Sequence, residues 1–126
     1  MASISSDPLA AAVRDDDQQW ISIVSWVTEA LVAAEEFGIT QANVQEIATH
    51  AAQEPNPQRR FLLGGSKQIG SGLGLDDGWA ARVIAATGNY GEIYERDLGS
   101  ISSMKLLRGM NRLQRNGGAF IALPFH

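Results

Sequence analysis

The strongest constraint in this sequence is an apolar stripe at helical spacing. Trp20, Ile23, Val24, Val27, Ala30, Leu31 and Ala34 recur every three to four residues. Ile21, Trp26 and Val32 widen the band, so the helix should be buried on more than one side. The run Asp15, Asp16, Asp17 offers carboxylates to the free amides at its start, and Gly38 after Phe37 is the expected stop. A calcium loop at the same aspartates would need alternating ligands, a central glycine and a distal glutamate, none of which follows. A helix of about 20 residues with so broad an apolar surface is stabilised mainly by what packs around it.

The remaining chain supplies those neighbours as shorter helices. Residues 1–15 are small and polar, and Pro8 biases Asp7 towards an extended lead-in. Thr40 reads as the cap of a second helix with Val44, Ile47, Ala48 and Ala51 on one face. Asn56 before Pro57 is a cap followed by a first-turn proline; the third helix it starts runs through Leu63 and ends at Gly64 and Gly65. Residues 64–75 read as a flexible, glycine-rich connector. It lacks the G-x-x-x-x-G-K-[ST] pattern and the preceding strand of a phosphate loop. Asp76 and Asp77 can cap a fourth helix that buries Trp79, Ala80, Val83 and Ile84 and stops at Gly88.

Next comes GNYGEIYERDLG, with Tyr90, Ile93 and Tyr94 on one side of a two-turn helix and Glu92 and Arg96 at the i, i+4 spacing of an ion pair. A last helix is expected from Ser102 or Ser103 to Gly117. It would set Leu106, Leu107, Met110 and Leu113 opposite Lys105, Arg108, Arg112 and Arg115. Such a basic amphipathic face is either solvated or laid on an anionic partner. The tail over 117–126 reads as an extended edge or clasp. These signals predict a single mainly α domain over 1–126. It is a compact bundle of five to six helices (within 16–63 and 76–116) with short extended ends.

Composition removes several function classes. With no cysteine and only His50 and His126, a zinc site or a Ser/His/Asp site has almost nothing to build on. No cofactor is expected. Glu92, Glu95 and Asp97 are the acid/base candidates, but no nucleophile stands at plausible spacing, and helix solubility explains them. The expectation is therefore not an enzyme. A net charge of −4 and an isoelectric point near 5.0 argue against nucleic acid. No run approaches the roughly 20 apolar residues of a membrane span. The charge is uneven along the chain: residues 1–55 hold nine acids and one base, whereas residues 100–126 hold four bases and no acid. The acidic front and the basic end should face each other or water.

The order of ISSDPLAAAVRDDDQQW, ITQANVQEIA, NPQRRFLL, LGLDDGWAARVI, GNYGEIYERDLG and RGMNRLQRNGG, followed by Pro124, resembles the C-terminal segment of one family. These are the periplasmic binding proteins of general L-amino-acid ABC transporters, the family-3 extracellular solute-binding proteins. The resemblance implies a remnant of a type II binding-protein lobe plus a helical extension, linked to amino-acid binding and uptake. In the complete family architecture two α/β lobes close on an amino acid, and most of both lobes has no counterpart here. No ligand-binding residue therefore carries over. An L-amino acid would be a partner only together with a missing lobe or a partner chain. Departures from the family pattern are the glycine load of GGSKQIGSG, Gln114 in place of an aromatic, and the ending LPFH.

The resemblance also implies the periplasm. The start of the chain has neither the basic head nor the apolar core of an export signal, which implies the cytoplasm if the chain is a complete gene product. The alternative is a stand-alone helical interaction domain that has lost amino-acid binding. Its motive is physical: Trp20, Ile23, Trp26 and Val27 would be left uncovered and should self-associate, most simply as a two-fold homodimer.

Overall fold

A computed structural model describes residues 10–66 and 70–124. Helix α1 spans Gln18–Glu36, α2 Val44–Thr49, α3 Pro57–Leu62, α4 Trp79–Thr87 and α5 Tyr90–Asp97. Single 3-10 turns lie at Ala51–Gln53, Ser71–Leu73, Gly109–Asn111 and Gln114–Asn116. The mainly helical expectation holds, with five α-helices among the described residues. Residues 10–15 of the lead-in have no helix or strand, and the earlier ones lie outside the described residues.

The helix ends follow the local chemistry. The Asp17 carboxylate accepts from the amide of Trp20 at 2.9 Å and opens α1. Gly38, at φ +67, closes it with paired bonds from Ile39 N to Ala34 O (2.8 Å) and from Gly38 N to Glu35 O (3.1 Å). The same arrangement recurs after α3. Gly64, at φ +80, donates to Phe61 O (3.1 Å), and Gly65 donates to Arg60 O (2.8 Å). Asn56 caps α3 by accepting from the amides of Gln58 and Arg59. Thr40 also works as expected, but one turn early. Its hydroxyl accepts from Asn43 N while the Asn43 side chain accepts from Thr40 N at 2.7 Å, and α2 begins only at Val44.

Helix α1 packs against α3, α4 and α5, and α2 packs against α4. The core joins Ala30, Ala33 and Ala34 of α1 to Ile39, Val44, Ala51, Leu62, Leu63, Leu73, Trp79, Ala80 and Ile84. Three alanines on one helix let neighbouring backbones approach closely, which suits a core assembled from short elements. Burial on α1 is concentrated in its second half. Trp20, near its start, remains 51% exposed.

Four expectations need correction. Residues 101–116 are not a helix: they run as turns and two 3-10 turns. Lys105 and Gly109 both take positive φ (+49 and +52), which a right-handed helix cannot accommodate. Leu113 alone of the expected apolar face is buried; Leu106, Leu107 and Met110 are exposed. The backbone of 112–114 bonds instead to the tail, with Gln114 N donating to Phe120 O (2.7 Å) and Phe120 N to Arg112 O (3.0 Å). The described part of the tail is thus a clasp, bridged to the preceding turn between Leu113 and Phe120.

The glycine-rich connector, in its described part, is packed. Leu73 enters the core, Gln19 donates to its carbonyl at 3.0 Å, and a Cβ on Gly70 would lie 2.1 Å from Leu75 O. Asp76 and Asp77 do not cap α4, whose N-cap is Gly78. Asp76 accepts from Gly78 N and pairs with Arg82 at 2.7 Å, and Asp77 accepts from Gly70 N. The expected Glu92–Arg96 pair is absent as well: Arg96 instead bonds to Asp97 and to the carbonyl of Thr87.

Candidate functional site

Two polar assemblies on α5 join sequence-distant parts of the chain. At the start of α5, Asn89 and Glu92 form a reciprocal capping box. The Asn89 side chain accepts from Glu92 N at 2.9 Å, and the Glu92 carboxylate accepts from Asn89 N at 2.8 Å. Each residue then reaches beyond its own helix. Asn89, 5% exposed, donates to Ile39 O at 2.9 Å, and Glu92 accepts from Gln41 N at 3.0 Å. The Gln41 side chain in turn donates to the Ala85 and Ala86 carbonyls of α4. GNYGE therefore locks the α1–α2 loop onto the junction of α4 and α5. Glu92 is turned away from Arg96 because two backbone amides claim its oxygens.

The second assembly fastens the basic end of the chain to the acidic end of α1. Arg108 makes a forked pair with Glu35, one arm at 2.9 Å, with 13% and 14% of the two side chains exposed. It also donates to Asn111 O at 2.7 Å and lies over the rings of Tyr90 (5.6 Å) and Tyr94 (5.8 Å). Tyr90 meets Phe120 edge to face at 4.8 Å, and the Tyr94 hydroxyl donates to Leu107 O at 3.1 Å. Arg115 donates to Glu36 O at 2.8 Å and pairs with its carboxylate. Gly91 is small for a reason: a Cβ there would stand 2.9 Å from a Glu35 oxygen and 3.0 Å from an Arg108 nitrogen.

The titration behaviour agrees with structural roles. The hydrogen bond to Glu35 raises the pKa of Arg108, keeping it protonated. Hydrogen bonds from the Ser100 hydroxyl and amide hold Glu95 below the usual carboxylate range, and the Arg82 pair does the same for Asp76. Burial raises Tyr90 above 10.0 despite the nearby Arg108 charge. A raised tyrosine stabilises the fold while neutral, and that contribution is lost as pH rises from about 10 through the folded value. Tyr90→Phe is therefore expected to flatten the alkaline limb of the stability curve, read as urea midpoints between about pH 8 and about pH 11. An unchanged limb would remove Tyr90 as its source.

The sequence candidates disperse over the molecule. Glu92 and Glu95 are engaged in the bonds above, and Asp97 is exposed beside Arg96. His50 is exposed at the end of α2, and His126 lies outside the described residues. No cluster of three or more His, Asp or Glu able to hold a metal occurs among the described residues. No helix among them is long and apolar enough to cross a membrane. Ile23, Trp26 and Val27 lie half-buried against the core, so of the face expected to self-associate only Trp20 stands largely free. Glu35, Gln41 and Asn89 carry these assemblies and were not singled out by spacing. Only the charge asymmetry hinted that Glu35 and Glu36 would meet Arg108 and Arg115.

No family model matches the chain. It is 50% identical over 96% of its length to the general L-amino acid-binding periplasmic protein AapJ of Rhizobium johnstonii. It is 47% identical over 97% to the glutamate/glutamine/aspartate/asparagine-binding protein BztA of Rhodobacter capsulatus. The chain belongs to the family of amino-acid ABC transporter binding proteins. A solved periplasmic binding protein from Brucella ovis, with glutathione bound, shares this fold at a TM-score of 0.79 and 44% identity. That match covers 89% of this chain and 34% of the Brucella chain. The chain spans 35% of the length of these curated family members, corresponding to their C-terminal part. The two assemblies on α5 thus stabilise a third of a binding-protein fold.

Proposed function

We propose that this chain is a non-catalytic scaffold portion of an amino-acid-binding protein and acts in amino-acid uptake in the periplasm. The observation that carries this reading is the 50% identity to a general L-amino acid-binding protein along nearly the whole chain. The geometry supports a scaffold role, because the polar groups gathered on α5 are spent on one another and on backbone. The clefts around Lys105–Arg112 and around Val44–Ala48 are partly open to solvent rather than enclosed. Ligand contacts then come from the part of the binding-protein fold outside the matched third. A stand-alone oligomerisation domain is the weaker reading, since Ile23, Trp26 and Val27 already pack on the chain's own core.

Calorimetry tests this in two arms. The chain alone, titrated with L-glutamate, L-glutamine, L-aspartate and a panel of other L-amino acids, is expected to give no binding heat. A chimera in which this chain replaces the matching third of the Rhizobium protein is expected to bind amino acids. A folded chimera that binds none of them sinks the proposal, and heat from the isolated chain would place ligand contacts inside it and end the scaffold reading.

A further inference from the structure

We infer that the loop over residues 98–110 is a docking face for the part of an amino-acid-binding protein that lies outside the matched third. Leu98, Ile101, Met104, Leu106, Leu107 and Met110 are all exposed, Leu107 to 93%. Six large apolar side chains this close in sequence differ from the singly scattered apolar residues of an ordinary surface, and such concentrations mark interaction sites.

Hydrogen bonds hold the backbone of the loop in place. Leu106 N donates to Leu98 O at 2.8 Å, the Tyr94 hydroxyl to Leu107 O at 3.1 Å, and the Lys105 ammonium to Ser100 O at 3.1 Å. Ser100 donates its amide and hydroxyl to the Glu95 carboxylate at 2.9 and 2.6 Å. The forked Arg108–Glu35 pair anchors the far end. Lys105 sits at φ +49, a left-handed backbone that a non-glycine residue keeps only where its surroundings over-determine it. A loop backbone held in advance loses little freedom on docking, which favours a stable contact.

The occupant follows from the extent of the structural match. The Brucella protein aligns with nearly all of this chain yet uses only 34% of its own length to do so. In that fold, about two thirds of further chain is available to close against surfaces that stand bare here. This inference rests on the proposed function, and it adds the surface through which the scaffold joins the rest.

The test adds the Ile101→Ser, Leu107→Ser double variant to the chimera and to the isolated chain. In the chimera the variant is expected to melt several degrees lower than the parent chimera. In the isolated chain it is expected to leave the melting temperature unchanged, because both side chains are already in water. Equal melting of the two chimeras would overturn the docking face, even if both bind amino acids and the proposed function stands. A melting shift in chimeras that bind no amino acid would support the docking face while the functional proposal fails. If the isolated chain forms a dimer in light scattering that the double variant dissolves, the face belongs to a second copy and the inference is wrong. A parent chimera that cannot fold where the Rhizobium protein does would also overturn it.

Discussion

Arg108→Ala is expected to lower the melting temperature by about 10 °C and to release the C-terminal clasp. Glu35 and Arg108 are both mostly buried, so removing the guanidinium strands a carboxylate away from water. Breaking a pair of this kind costs about 3 kcal/mol, which corresponds to about 10 °C in a domain of this size. Arg108 also braces Asn111 O and covers the rings of Tyr90 and Tyr94, so the damage should spread along residues 101–120. Hydrogen exchange should therefore show lost protection at Gln114 and Phe120, whose amides hold the clasp, with α1 and α4 little changed. In a Glu35→Ala background the same substitution should cost much less, because the partner it strands is gone. A melt superimposable on the parent's would show the fork to be idle.

Asn89→Ala is the second large effect, about 3 kcal/mol read as a lowered urea midpoint at unchanged slope. Two losses add. The first turn of α5 loses its cap, about 1 kcal/mol, and the buried Ile39 carbonyl loses its donor, about 1–3 kcal/mol. Asn89→Ser separates them. Its hydroxyl can accept from Glu92 N but is too short to donate to Ile39 O, so its stability should fall between the parent and the alanine variant. A serine variant as stable as the parent would mean that the Ile39 bond contributes nothing.

These two residues show how far sequence reasoning reached. The caps at Asp17 and Asn56 and the glycine stops at Gly38, Gly64 and Gly88 were legible because each is a contact within a few residues along the chain. The core positions of α4 were legible for the same reason, since helical spacing puts Trp79, Ala80 and Ile84 together without knowledge of their neighbours. The expected helix over 103–116 failed because an apolar stripe states which residues would share a face if a helix formed. It does not say that anything waits to bury that face. Glu92 failed similarly: spacing offered Arg96, but two amides brought close by folding compete better for its oxygens.

What the sequence by itself determined is the mainly helical architecture, most helix ends, and membership in a family of binding proteins, carried by GNYGEIYERDLG and its flanking stretches. Only the tertiary structure decided what that string does. Asn89 lies 50 residues from Ile39, and Glu35 lies 73 from Arg108. No local propensity encodes such distances. A polar side chain is committed to a partner only when burial removes water as the alternative, and burial belongs to the assembled fold. The same rule applies to the bare loop over 98–110, whose apolar residues are explained only by the surface that comes to cover them.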